Sequence, residues 1–496
     1  MAGGVDRLSD LPDELLLRVL HFVPGKQAAA TTALSRRWRS PLWRSSGAAA
    51  ATTALSRRWR SPLWRSSGAV NLETDVEDWG YYLYNFNDKS GELDDALFLS
   101  RRDAFVSAAE AAFDAADAPV TRLTLRVTGH NCIDLFLNGD WDVKLPSPWS
   151  PHHGALARLL SHRTVGRVEE LRLDAYGAYS DDQTSLKFLG LYVFDLGSVQ
   201  SENLRVLDLT NCCELVPPAS AVVFPRLSSL RLHHGTVRLD ALQSLIYAAP
   251  ALVTVHFESL IISPPTDGVP DYSLPDQSIY RQWKAYAPPL PPAQALLRLP
   301  AVTMLVLDGC NWKDKDVSRR DYIADKAGIV PVEIDAPRLR RFRYKGLLRP
   351  FSLSPLPPDL AHADLHFVPH ARDDRVNKIL PVHKETNEDP CRGKANLKTF
   401  WRFLHNFTGV KELKLNVNHL EDMAVLTEAR RAELLPAFSI LERLELHRVH
   451  KPQGKTATVA IADLLRCCPT LRSLRINHTA VHQCTTTHNI RKTTSS

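Results

Sequence analysis

One short apolar phrase recurs along most of this chain and constrains its fold more than any other feature. The phrase reads apolar-x-x-apolar-x-apolar, so its second and third apolar residues point to the same side of a strand. It stands at Val120/Leu123/Leu125, Val168/Leu171/Leu173, Leu204/Leu207/Leu209, Leu227/Leu230/Leu232, Leu252/Val255/Phe257, Val302/Leu305/Leu307, Leu339/Phe342/Tyr344, Val410/Leu413/Leu415, Leu441/Leu444/Leu446 and Leu471/Leu474/Ile476. A single such unit cannot bury its apolar side, and units become stable by stacking around a shared core. We therefore predict stacked parallel strands from about residue 120 onward.

The phrase at residues 204–212, LRVLDLTNC, resembles a full leucine-rich repeat, L-x-x-L-x-L-x-N-C. The next two phrases follow after 23 and 25 residues, within the usual period of about 20 to 29. The Asn of this pattern is expected to satisfy backbone groups where the chain turns off the strand. Segments 239–250 and 458–469 have the pattern of amphipathic helices closed by Pro. The predicted fold class is α/β, an irregular leucine-rich-repeat solenoid with a curved parallel sheet and outer helices, preceded by a small all-helical module.

Two stretches interrupt the repeats and are predicted to be insertions that project from the solenoid. Residues 263–292 are rich in Pro and aromatic side chains, and residues 369–395 are mostly charged or polar. Loops held by a rigid scaffold often carry recognition. Tyr272, Tyr280, Trp283 and Tyr286 are therefore candidate substrate-binding residues, although packing of this loop back on the solenoid remains an equal alternative.

The N-terminal segment has a strong helix start. Ser9 and Asp10 can cap a helix, Pro12 suits its first turn, and acids follow at the positive end of the helix dipole. The helix is expected to end near Val23, and an Ala-rich helical segment then closes in Ser-Arg-Arg-Trp-Arg. A module of roughly 40 residues is near the lower limit for independent folding and exposes much apolar surface. We therefore expect it to bind a partner.

The run DLPDELLLRVLHFVPGKQAAATTALSRRWRSPLW resembles an F-box of the large plant families. The resemblance implies docking on a Skp-type adaptor and, through it, association with cullin and RING subunits. It assigns adaptor binding to Leu11, Pro12, Leu15, Leu16, Val19, Leu20, Val23, Leu34, Trp38 and Trp43. Some of these leucines could instead hold the small core of the module.

Residues 28–48 recur without a change as residues 49–69. A recent tandem duplication and a sequence-assembly error both explain this identity. We favour the first copy as the one that completes the F-box, because it is contiguous with the Leu-Pro helix. The expected division is 6–47 for the F-box, 48–69 for the second copy and linker, 70–481 for the repeat domain and 482–496 for a disordered tail.

Net charge gives little support for nucleic-acid binding. Residues 1–70 hold 11 Lys and Arg against 4 Asp and Glu, which leaves 50 against 51 for the rest of the chain. A basic patch around the doubled Ser-Arg-Arg-Trp-Arg segments stays open as a minor alternative.

The eight cysteines form no C-x-x-C, so reduced thiols are expected. With no signal peptide or run of about 20 apolar residues, a cytoplasmic or nuclear protein without a membrane partner is expected.

The sequence contains none of the phosphate-loop, dinucleotide, zinc-protease or nucleophile-elbow motifs. We therefore expect no catalytic residues, no metal and no cofactor. The predicted function is that of a non-catalytic substrate-recognition subunit of a Skp-cullin-F-box ubiquitin ligase, whose repeats bind the target protein. The alternative is an adaptor-bound interaction protein that delivers nothing for ubiquitination. Neither reading identifies the substrate or says whether the repeats hold a small molecule.

Overall fold

The computed structural model of the chain describes thirteen segments: residues 68–76, 95–116, 118–129, 133–138, 154–176, 192–199, 201–217, 223–263, 295–312, 331–368, 390–417, 423–448 and 454–478. They belong to two compact units. The first unit comprises residues 1–339 and 353–357, and the second comprises residues 340–352 and 358–496.

The described part of the first unit contains eleven strands and four α-helices. The strands are β1 Ala69–Asp75, β2 Arg122–Thr128, β3 Glu170–Tyr176, β4 Tyr192–Asp195, β5 Val206–Val216, β6 Ser229–Arg238, β7 Thr254–Ser263, β8 Ala295–Arg298, β9 Met304–Asp308, β10 Asn311–Trp312 and β11 Val332–Asp335. The helices are α1 Asp95–Asp114, α2 Ile133–Asn138, α3 Ala155–Ser161 and α4 Leu239–Ala248.

Seven of these strands form one parallel sheet in the order β1-β2-β3-β5-β6-β7-β9. Two short strands extend its margin, because β4 pairs with β5 and β10 pairs with β7, also in parallel. Strands β8 and β11 form a separate parallel pair. The architecture is α/β with a large parallel sheet, as the phrase predicted.

The core of the first unit lies on the side of the sheet to which the phrases point. Their apolar residues are buried in every strand of the main sheet from β2 to β9. In β5, for example, Leu207 and Leu209 have no exposed surface. Helix α4, predicted within residues 239–250, buries Leu242 and Leu245 and leaves Tyr247 exposed. The predicted alternation of buried and outward residues is therefore confirmed for these strands.

Residues with positive φ lie at the same register on four neighbouring strands, inside β5, β6 and β7 and directly after β9. They are Asn211 at +63°, His234 at +52°, Ser259 at +51° and Gly309 at +65°. Asn211 Nδ2 donates to the backbone oxygen of Ala175 on the neighbouring strand, at 2.5 Å. The Asn thus satisfies a backbone group as expected, but it does so inside β5 and not where the chain leaves the strand.

The second unit repeats the scheme with five parallel strands in the order β12-β14-β15-β16-β17. Its elements are β12 Arg341–Gly346, β14 His362–Phe367, α5 Pro390–His405, β15 Glu412–Val417, α6 Glu428–Leu434, β16 Arg443–Arg448, α7 Gly454–Cys467 and β17 Ser473–His478, while β13 Phe351–Leu353 lies at the boundary between the two units.

An aromatic cluster forms much of the core of the second unit. Phe351 stacks on Phe403 with ring centroids 4.7 Å apart, and Phe342 and Phe407 stack beside them at 5.3 Å from each other. Phe342 is a phrase residue on β12, whereas Phe403 comes from α5. Strand and helix are thus held together by ring packing, which contributes beyond the area that it buries.

Several expectations fall on residues outside the described part of the chain. These are the N-terminal module, the second copy up to Ser67, nearly all of the first insertion and the tail. Residues 390–395, the last part of the expected second insertion, belong to helix α5.

Among the described cysteines, Cys212, Cys310, Cys467 and Cys468 are buried and all are free thiols. No described helix has the length and apolar character needed to span a membrane.

A candidate partner-binding face

Each strand of the main sheet carries polar residues between its buried ones, and these point away from the core. In the first unit these positions, most of them polar, form three rows across the seven strands, and we call the three rows the first polar face. Row one is Ala69, Arg122, Glu170, Val206, Ser229, Thr254 and Met304, row two is Asn71, Thr124, Arg172, Asp208, Arg231, His256 and Val306, and row three is Glu73, Arg126, Asp174, Thr210, His233, Glu258 and Asp308.

Register places opposite charges beside each other on β2 and β3. Residues in one row are about 4.8 Å apart along the hydrogen-bonding direction, within reach of side-chain ion pairs. Arg122 Nε lies 3.0 Å from Glu170 Oε2, and one Arg126 terminal nitrogen lies 3.2 Å from Asp174 Oδ2. These pairs hold two guanidinium groups in fixed positions on the face.

Asp208 joins three strands near the centre of the first polar face. Its carboxylate lies 4.0 Å from both Arg172 and Arg231, and its Oδ1 lies 3.4 Å from Nε2 of His233. Burial is the largest single influence on the pKa of Asp208 and raises it, but the hydrogen bond and charge of His233, together with the charges of Arg172 and Arg231, leave this pKa below its usual value. Asp208 is therefore an anion at neutral pH.

His233 lies between two carboxylates, since its Nδ1 is 3.1 Å from Glu258 Oε2 on the other side. The hydrogen bond with Asp208 raises the pKa of His233, with a further contribution from Glu258. The ring of His256 meets that of His233 edge-on, with centroids 5.2 Å apart. Burial and the positive charge of His233 lower the pKa of His256. The pKa values of these two adjacent histidines are therefore shifted in opposite directions, upward for His233 and downward for His256.

The second unit has a polar face of its own, three rows across five strands. We call it the second polar face, and its rows are Arg341, His362, Glu412, Arg443 and Ser473, then Arg343, Asp364, Lys414, Glu445 and Arg475, then Lys345, His366, Asn416, His447 and Asn477. Six of these residues are Arg or Lys and three are Asp or Glu.

Ion pairs cross the strands here too. Glu412 lies 2.9 Å from His362 Nδ1 through one oxygen and 2.6 Å from Arg443 through the other. Glu445 accepts from Asn477 at 2.8 Å and lies 2.9 Å from His447. Both faces are therefore ordered arrays of donors and acceptors, suited to binding a polar partner.

The described residues provide no sign of a reaction centre. No group of His, Cys, Asp or Glu among them could hold a metal ion. Burial raises the pKa of Cys213 to about 12 and that of Cys212 still further. Both thiols are protonated at neutral pH and are poor nucleophiles.

None of the site residues predicted from the sequence lies in the described part of the chain. The adaptor-binding set from Leu11 to Trp43 and the four aromatic residues from Tyr272 to Tyr286 are all outside it, so both assignments stay predictions. Sequence reasoning missed the two polar faces. The signal was available, because the residue between the last two apolar positions of each phrase must point away from the core.

Residues 8–40 match the family model of the F-box domain. This match includes the start of the first copy of the duplicated segment and ends before Trp43. Similar proteins of Arabidopsis thaliana include a putative FBD-associated F-box protein, 60% identical over 38 residues, and an F-box/FBD/LRR-repeat protein, 56% identical over 39 residues. Another putative F-box/FBD/LRR-repeat protein is 62% identical over 39 residues.

All three similarities are confined to the F-box region. Each covers 8% of this chain, and they span 21%, 9% and 8% of the respective relatives. The chain thus matches about a fifth or less of the length of these relatives.

Proposed function

We propose that this chain, which carries an F-box domain at its N-terminus, is the substrate-recognition subunit of a Skp-cullin-F-box ubiquitin ligase. F-box domains generally bind a Skp-type adaptor, and F-box proteins are generally non-catalytic receptors. The match of residues 8–40 to the F-box family is the observation that carries the proposal. In this role the adaptor would link the chain to the cullin and RING subunits, in the cytoplasm or the nucleus.

The region after the F-box would hold the target protein. We propose that its strands belong to an irregular leucine-rich-repeat solenoid. Their regular register and ordered polar faces support this reading, because such surfaces are wide and their outward residues vary without loss of the core. Holding a target near a conjugating enzyme raises the effective concentration of its lysines, so no catalytic group is required in this chain.

Adaptor binding is tested first by co-purification with a Skp-type adaptor. Leu15→Asp with Leu16→Asp should abolish the complex, because two charges would enter an apolar docking surface. The matched control makes the same change at two exposed leucines, Leu426→Asp with Leu465→Asp, and should keep the complex. Loss with both pairs would point to general unfolding, and retention with both would refute the docking assignment.

The duplication permits a second comparison, between the full chain and a chain without residues 49–69. The backbone oxygen of Gly68 accepts from the N–H of Thr121 at 2.8 Å, so the end of the second copy starts strand β1. Deletion places the identical Gly47 and Ala48 directly before Val70, and the start of β1 is therefore rebuilt. Adaptor binding by both chains would support the first copy as the docking copy and the second as a tolerated insertion. Binding by neither would refute the ubiquitin-ligase proposal.

The alternative, an adaptor-bound protein that delivers no substrate, makes a different prediction about protein lifetimes. If the chain is a receptor, deletion of residues 6–47 should lengthen the half-lives of the proteins that its remaining part still binds. A pulse-chase of those proteins would measure this effect. Unchanged half-lives would favour the alternative.

A further inference from the structure

Positive and negative residues are distributed unevenly over the strands of the first polar face. Four arginines lie on its central strands, against three acids there. We call this group, Arg122, Arg126, Arg172 and Arg231 with Glu170, Asp174 and Asp208, the donor centre. The acids Glu73 on β1, Glu258 on β7 and Asp308 on β9 flank it on the outer strands, where the only histidine of the face is His256, whose pKa is lowered. The face is thus positive at its centre and negative at both sides.

Several buried donors of the central strands have no hydrogen-bond acceptor. The hydroxyl of Thr124 and the Nε atoms of Arg126 and Arg172 are buried atoms without a hydrogen bond, and the same holds for the Ser229 hydroxyl. Arg172 Nε lies 4.0 Å from Asp208 Oδ2, which is beyond hydrogen-bonding distance. Thr124 and Arg172 face each other directly in the register of β2 and β3. A buried donor without an acceptor is costly, so these groups favour a ligand that brings acceptor oxygens.

The lowered pKa of Arg122 also favours a ligand that brings negative charge. Burial, followed by the nearby charge of Arg172, lowers the pKa of Arg122, and the surrounding carboxylates do not compensate. Its side chain is only 7% exposed, so solvent screens this repulsion weakly. A further anion between the two guanidinium groups would relieve it.

We propose that the first polar face binds an extended segment of a partner protein in which acidic residues are flanked on both sides by basic ones. The carboxylates of that segment would meet Arg172 and Thr124, and its basic side chains would meet the flanking acids. Seven strands span about 29 Å at roughly 4.8 Å per step, which an extended chain covers in about nine residues. The inference rests on the proposed function, because it describes the chemistry of the target segment.

Two peptides of identical composition test the order of charges directly. KSSESESSK places acids between lysines, and ESSKSKSSE reverses the order at the same net charge of zero. Both read the same in either direction, so peptide polarity plays no part. Fluorescence anisotropy with the full chain measures the affinity for each labelled peptide and does not depend on adaptor binding. The first peptide should bind about tenfold more tightly, because like charges would oppose the second across the whole face.

Variants then locate the site. Arg172→Gln and Thr124→Val should each bring the ratio of the two affinities close to one, and Arg172→Gln should weaken binding of the first peptide about tenfold. Arg226→Gln is the matched control, since it removes one positive charge from an exposed residue that bonds only to Asn203 among the described contacts. It should leave the ratio unchanged.

The outcomes separate this inference from the proposed function. Equal affinity of the unaltered chain for both peptides would overturn the inference, as would an equal effect of Arg172→Gln and Arg226→Gln. Neither result touches adaptor binding, which co-purification reports independently. Conversely, a chain that discriminates between the peptides but never binds the adaptor would keep the charge pattern and refute the receptor role.

Discussion

Asn211 offers the sharpest test of how the sheet of the first unit is held. It has a left-handed backbone, with φ of +63°, and its side chain donates to the backbone oxygen of Ala175. Asn211→Ala removes the hydrogen bond, worth about 1 kcal/mol, and places a residue with a Cβ but no polar group in the left-handed region, which costs about 1 kcal/mol more. The expected loss is about 2 kcal/mol.

Two further substitutions at the same position separate these contributions. Asn211→Gly relieves the backbone cost and loses only the hydrogen bond, so about 1 kcal/mol is expected. Asn211→Asp keeps the shape but replaces the N–H donor by an oxygen that faces the oxygen of Ala175. Its loss should therefore equal or exceed that of the Gly variant.

Native-state hydrogen exchange followed by mass spectrometry suits this prediction, since two units need not unfold together. In peptides from β5 and β6, exchange should accelerate about 5-fold in Asn211→Gly and about 30-fold in Asn211→Ala. Equal rates in the Ala and Gly variants would refute the backbone cost. Exchange of Asn211→Asp at the rate of the unaltered chain would refute the hydrogen bond.

Three further predictions concern packing, protonation and the aromatic core. Gly235→Ala should destabilise the first unit by about 3 kcal/mol or more in urea denaturation, because φ is +120° and a Cβ would lie 2.1 Å from the backbone oxygen of Cys212. His233→Gln should lower the thermal unfolding temperature more at pH 6 than at pH 9. The raised pKa of His233 gives stability that is full below the unfolded value of about 6.5 and is lost as pH rises through the folded value. Phe403→Ala should cost about 4 kcal/mol in urea denaturation, because this ring is 1% exposed and stacks on Phe351.

Each of these predictions has a control in the same chain. Gly309→Ala also puts a side chain at a positive φ, but its Cβ would meet the Ser259 hydroxyl at an ordinary 3.4 Å, so about 1 kcal/mol is expected. An equal loss at Gly235 and Gly309 would contradict the steric argument. An equal shift for His233→Gln at both pH values would contradict the charge argument. Phe403→Leu should lose less than Phe403→Ala, because Leu still fills part of the buried volume; no loss of stability in Phe403→Leu would mean that the ring packing contributes nothing.

The phrases predicted the strands well where both inward residues are large. Among the seven and five strands of the two units' parallel sheets, two escaped that pattern for visible reasons. In β14 the phrase is Leu360/Ala363/Leu365, whose middle residue is small, and β1 has only Val70 and Leu72 before it ends in acids. Ala363 is buried all the same, because the neighbouring strands place it between Phe342 and Leu413 in register. Large residues on the neighbouring strands thus bury Ala363, although its own side chain is too small to complete the apolar pattern.

The candidate site could not be assembled from the sequence in the same way. The outward position of Asp208 follows from the two leucines on either side of it, but its partners do not. Arg172 and His233 lie 36 and 25 residues away, and the spacing between phrases is irregular. No rule of spacing alone brings those three side chains together.

The sequence by itself determined which residues alternate between core and polar face, since strand geometry turns successive side chains to opposite sides. It also determined where amphipathic helices such as α4 end, through Pro and apolar periodicity. Only the tertiary structure decided which polar residues become neighbours, because strand register depends on the stacking of whole units and on the segments that connect them. The charge order of the first polar face is a product of that register.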